Sequence, residues 1–146
     1  MNPLLDVISE AWGWLNINPI RIEDENEFGC VVFLDEDGSR WLIRTDEPSC
    51  EVIARNDYEY EELIASDDYL FEWNMSRLVE TAKQHLGKKK ANQCYCLKIP
   101  SVFGGEYAAE NFGIITREGL ISFAGDLARQ IRANPDGSSI MLNWPE

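Results

Sequence analysis

The run Gln93-Cys94-Tyr95-Cys96-Leu97-Lys98-Ile99-Pro100-Ser101-Val102-Phe103-Gly104-Gly105-Glu106-Tyr107 constrains the fold of this chain more than any other stretch. It reads as a strand that runs into a glycine-paired turn. The pair Gly104-Gly105 gives the backbone access to φ > 0, which most residues avoid. A turn built this way holds Glu106 and Tyr107 in fixed directions. Cys94 and Cys96 stand two apart, so on a strand they share one face.

The rest of the chain supplies clear punctuation. Asn2 caps and Pro3 opens a helix whose stripe is Leu4, Leu5, Ile8, Ala11, Trp12 and Leu15. Ile20 and Ile22 alternate with charges, as on a half-buried strand. Phe28 to Leu34 and Arg40 to Thr45 form a hairpin around Asp35-Glu36-Asp37-Gly38, and Ser49 to Ala54 adds a strand. Asn56 or Asp57 starts a helix through Ala65. Ser66, Asp67 and Asp68 cap another before Tyr69. A third runs from Asn74 or Ser76 to Leu86 and stops at Gly87. Cys94–Ile99 and Phe112–Thr116 are strands. Arg117–Ala133 is the last helix, with Ile121, Ala124, Leu127, Ala128 and Ile131 as its apolar stripe and Asn134-Pro135-Asp136-Gly137 as its stop. Ile140 to Trp144 is expected to pack back as an extended piece. Segregated runs of strands and helices predict an α+β fold, a single domain over 1–146 with a mainly antiparallel twisted sheet and flanking helices.

Composition matters for what it excludes. Hydrophobic residues make up 45% of 146 residues, enough for a real core. No stretch has the length of a membrane span, and the N-terminus lacks the basic start and apolar run of a signal peptide, so a soluble cytoplasmic protein is expected. Net charge is −13, and 20 of the 26 acids fall in residues 1–80 against five arginines. Such a surface repels phosphates and attracts basic partners, which disfavours direct nucleic-acid binding. The triplet Lys88-Lys89-Lys90 reads as a solvated loop. Cys30, Cys50, Cys94 and Cys96 match no zinc spacing; they are expected as reduced, mostly buried thiols, with no metal and no cofactor.

Catalytic signatures are sparse. His85 is the sole histidine and reads as a surface residue near a helix C-terminus, so no triad is visible. Gly104-Gly105 lacks the spacing and the following Lys-Ser/Thr of a phosphate loop. Glu106 and Tyr107 carry two readings: a polar site presented by the turn, or a fixed network in which Glu106 or Asn111 satisfies backbone groups. The second is preferred. Trp12 is expected in the core, whereas Trp41, Trp73 and Trp144 could be core or interface anchors.

The segment also resembles the C-terminal domain of type VI secretion immunity proteins, which protect a bacterium from its own DNA-degrading effector. The resemblance rests on Gln93, Cys94 and Tyr95, on Gly104, Gly105, Glu106 and Tyr107, on Asn111, and on a helix closing with Arg129, Gln130 and Ile131. It is strongest over 93–131 and extends weakly through Asp35–Gly38 and Glu72-Trp73-Asn74-Met75. Larger relatives place another domain in front, which this chain is expected to lack, and often carry His where this chain has Gly119 and Ala128. The resemblance implies a non-enzymatic binding protein whose partner is a cognate effector toxin, expected to be a basic nuclease held in a stoichiometric complex. An acidic interface is then expected from Glu23, Asp24, Glu25 and Glu27, from Asp35, Glu36 and Asp37, and from Glu59, Glu61, Glu62, Asp67 and Asp68. The alternatives are a small enzyme using Glu106 and Tyr107, and a general regulatory binding module.

Overall fold

A computed structural model of the protein describes residues 2–134. Helix α1 (Pro3–Trp12) starts where the sequence says: the Asn2 side chain accepts from the Leu4 N–H, and Pro3 occupies the first turn. It ends earlier than Leu15. Gly13–Leu15 tighten into a 3-10 turn closed by Asn16 at φ 59, a conformation that Asn tolerates.

Four strands follow in antiparallel order: β1 (Pro19–Glu25), β2 (Val31–Asp35), β3 (Arg40–Arg44) and β4 (Ser49–Ala54). The β2–β3 hairpin is as expected, with Phe33 opposite Trp41. The second strand, however, begins at Val31 and not at Phe28. The Asn26 side chain accepts from the N–H groups of Phe28 and Cys30 at 3.1 and 2.9 Å, folding that stretch into a turn with Gly29 at φ +75. Helices α2 (Asp57–Ile64), α3 (Asp67–Asn74) and α4 (Ser76–Leu86) come next. Asn56 and Ser66 cap the first two through their side chains, and Gly87 ends the third. Strands β5 (Gln93–Leu97) and β6 (Phe112–Thr116) form a separate two-stranded ribbon, so the strands fall into two sheets. Helix α5 (Arg117–Ala133), capped by Thr116, completes the described chain. The α+β class and the antiparallel pairing stand. The expected extended piece at Ile140–Trp144, and Pro135 to Gly137 of the expected helix stop, lie outside the described residues.

Alternation along the strands divides the core. Val31, Phe33 and Ile43 point to α1 and α5, packing with Leu4, Ile8, Trp12, Ile121 and Ala124. Cys30, Val32 and Ala54 point the other way, to Tyr60 and Trp73 of α2 and α3. Strand β2 is therefore covered on both faces, which explains its continuous apolar run. The ribbon divides similarly. Tyr95, Leu97 and Phe112 pack on Val79 and Ala82 of α4, while Cys94, Cys96 and Ile115 pack on Leu120 of α5. The shared face of Cys94 and Cys96 is thus as expected, and the four cysteines are free thiols. Lys89 departs from the solvated-loop reading: it pairs with Glu27 at 2.5 Å and lies over the Tyr95 ring.

Helices α1 and α5 touch at Gly125. A Cβ there would stand 2.5 Å from the Ala11 carbonyl oxygen and 2.7 Å from the Ala11 Cβ. Gly125→Val is expected to push the helices apart and lower stability by about 1–3 kcal/mol, read as a fall in Tm of several degrees.

Candidate partner-binding surface

The glycine turn is built as a clamp. Ser101–Phe103 make a 3-10 turn that Gly104 closes at φ +85, its N–H donating to the Ser101 carbonyl. Gly104 alone needs the left-handed region. Gly105 is required for a different reason: a Cβ on it would lie 1.7 Å from the Ile99 carbonyl oxygen. Asn111, buried beside it, accepts from the Ile99 N–H at 2.9 Å and donates to the carbonyls of Ile99 and Glu106 at 3.0 and 2.9 Å. The side chain therefore does what secondary structure would do elsewhere and satisfies both edges of an irregular loop. That is the network reading with Asn111, not Glu106, as its centre. Glu106 is exposed.

Tyr107 leaves the turn toward the four-stranded sheet. Its hydroxyl donates to Asp46 Oδ2 at 2.8 Å. Asp46 sits in the β3–β4 connection with a side chain only 1% exposed, and Arg44 Nη2 reaches the same carboxylate at 2.7 Å. The Asp46 carbonyl accepts from the Ser101 hydroxyl at 2.7 Å. Asp46 thus ties the glycine loop to the sheet by side chain and backbone together. Burial alone would push its carboxyl up, but the hydrogen bond and charge of Arg44, helped by Tyr107, outweigh that and hold it below the usual aspartate value. Burial and then the Asp46 charge push the Tyr107 phenol up to about 12 and the Cys30 thiol up to about 11. Both stay protonated near neutrality, a poor state for a base or a nucleophile. Nothing in the sequence singled out Asp46; its partner is 61 residues away.

Beside this tie lies an open groove of about 750 Å³. It is lined by Leu42 and Ile53 of the sheet, Leu63, Phe71 and Trp73 of α2 and α3, Arg77 of α4, and Tyr107. Trp73 is buried there, stacked on Tyr69 at 6.2 Å, and the Tyr69 hydroxyl has no hydrogen-bond partner among the described residues. Trp41 stacks on Phe33, so both tryptophans serve the fold.

The twelve acids expected at an interface divide into two kinds. Glu23 accepts from Arg21 and Arg40, Asp35 from the Asn18 N–H at 2.6 Å, Asp37 from Ser39, and Glu59 from Arg55. Glu25 and Glu27 pair with Arg117 and Lys89. Asp24, Glu36, Glu61, Glu62, Asp67 and Asp68 are exposed and carry no ion pair among the described residues. Arg40 brings the three stretches to one end of the sheet: its guanidinium reaches Glu23 of β1, the Gly38 carbonyl of the hairpin turn and Asp57 of α2, and it covers the Tyr60 ring. Helices α2 and α3 then extend the acidic face, since residues 57–74 hold seven acids and no base. Glu72, which lines the groove, is an acid outside the expected interface set.

Among the described residues no helix is long and apolar enough to cross a membrane, and no group of three or more His, Cys, Asp or Glu could hold a metal ion. Residues 54–128, just over half of the chain, match the family described as the C-terminal part of the T6SS immunity protein Tdi1, and the chain belongs to that family. The match takes in α2 to α4, the ribbon, the glycine clamp and most of α5. It begins well before residue 93, and it leaves out the Asp35–Gly38 hairpin and Arg129, Gln130 and Ile131. No curated protein matches the chain.

Proposed function

We propose that this protein neutralises a cognate type VI secretion toxin by binding it in a one-to-one complex in the cytoplasm, without cofactor or turnover. The observation that carries this reading is the family match over residues 54–128. The site chemistry supports occupancy over catalysis: Asn111 is committed to backbone groups, and Tyr107 is a protonated phenol bound to a buried carboxylate. The charge supports a basic toxin, and a nuclease above all. A nuclease must attract a polyanion, so its cleft is basic; an acidic inhibitor docks there and repels the substrate. Within the expected interface, Asp24, Glu36, Glu61, Glu62, Asp67 and Asp68 are the acids free to meet a partner.

The test is co-purification with the product of the neighbouring gene, disarmed so that it can be expressed. A one-to-one complex whose association slows as salt rises is the expected result. A neighbour that neither binds nor shows toxicity would overturn the reading.

A further inference from the structure

Charge and shape coincide in one place. Helices α2 and α3 carry seven acids and no base, and they also expose Tyr58, Ile64, Leu70 and Phe71. Phe71 is 78% exposed, the most of any large apolar side chain described. Its neighbours Tyr69 and Trp73 face inward, so Phe71 stands at the lip of the groove while the helix is held from beneath. Across the groove Tyr107 is 42% exposed, and its loop adds Ile99, Val102 and Phe103 to the apolar surface. Apolar side chains thus stand on both sides of a groove whose α2–α3 side is strongly acidic. An interface with buried aromatic anchors and a charged rim needs both.

Building on the immunity reading, we infer that the groove between α3 and the 99–107 loop receives a cationic, amphipathic segment of the toxin. An apolar side chain of that segment enters between Phe71 and Tyr107, and its Lys or Arg residues meet Glu61, Glu62, Asp67, Asp68 and Glu72. The partner is a basic protein segment because nucleic acid is repelled by this face. Of the two arginines that line the groove, Arg44 is paired with Asp46 and Glu47, and Arg77 lies in the first turn of α4. The glycine clamp acquires a role in recognition: by fixing Tyr107 on Asp46, it sets the width of the groove.

The test uses the whole chain and the disarmed product of the neighbouring gene, measured by surface-bound kinetics over a range of salt. Phe71→Ala is expected to weaken binding by about tenfold or more, through faster dissociation. The double variant Glu61→Lys/Glu62→Lys is expected to slow association several-fold and flatten its salt dependence. Glu10→Lys on α1, away from the groove, is the control and leaves both rates unchanged. Thermal melts of all variants should match the parent, since each site is exposed. If the parent binds and both groove variants bind within twofold of it, the toxin docks elsewhere and the inference is wrong. A concentration-dependent dimer abolished by Phe71→Ala, with toxin binding intact, would assign the groove to a second copy of this chain and overturn it too. A parent that fails to bind removes the immunity reading itself, and the inference with it.

Discussion

Gly105→Val is expected to be the most damaging single change in the glycine clamp, costing about 3 kcal/mol or more. The added Cβ would lie 1.7 Å from the Ile99 carbonyl oxygen, which is backbone and cannot rotate away. Relieving that overlap means opening the loop that Asn111 holds from both sides. A Cβ on Gly104 meets no neighbour within 4 Å, yet the φ of +85 is strained for a branched residue. The expected cost of Gly104→Val is about 1–2 kcal/mol. Glu106→Ala touches an exposed side chain and should stay within about 0.5 kcal/mol. Thermal or denaturant melts give the order directly. Equal stability of the three variants would mean that the turn does not depend on either glycine.

Asp46→Ala is the second large effect, expected at about 2–3 kcal/mol. The variant strips the partner from the Tyr107 hydroxyl and from Arg44. Arg44 is 40% exposed and can turn to water, which keeps the cost below that of a fully buried pair. The same carboxylate makes stability depend on pH. Its folded pKa lies below the 3.8 of an ordinary aspartate. The unfolded chain therefore takes up the proton first as pH falls. The stabilisation is present above 3.8 and is lost as pH drops toward the lower folded value. Melts between pH 6 and pH 3 should show the parent losing stability in the acid limb, with the slope reduced in Asp46→Ala. An identical slope would place the acid sensitivity in other carboxylates.

Local signals carried most of the fold. Asn2-Pro3, Asn56, Ser66 and Gly87 punctuate helices because their side chains or backbones satisfy helix ends within a few residues. What depends on distant partners was not legible. Phe28 looks like strand until the Asn26 side chain is seen to take its N–H. The separation of β5 and β6 from the larger sheet depends on α4 and α5 covering the two faces of the ribbon. The glycine pair marks a turn, but a sequence does not say which glycine bends and which makes room. Charge sums also hide geometry: Glu23, Asp35 and Asp37 count toward an acidic surface while they hold the sheet end and the hairpin turn together. Phe71 left a readable trace. Tyr69, Leu70, Phe71 and Trp73 spread around an eight-residue helix, which cannot bury every face.

The most direct measurement of the central claim is a titration of toxin activity. A fixed amount of the neighbouring gene's product is mixed with increasing amounts of this protein, and the remaining activity is read. Binding by occupancy predicts a linear loss with a sharp break at one equivalent, unchanged by a chelator. Protection at a small fraction of an equivalent would mean that each molecule turns over, and loss of protection on chelation would mean a metal-dependent reaction. Either result contradicts the account and returns Glu106 and Tyr107 to consideration as an active site.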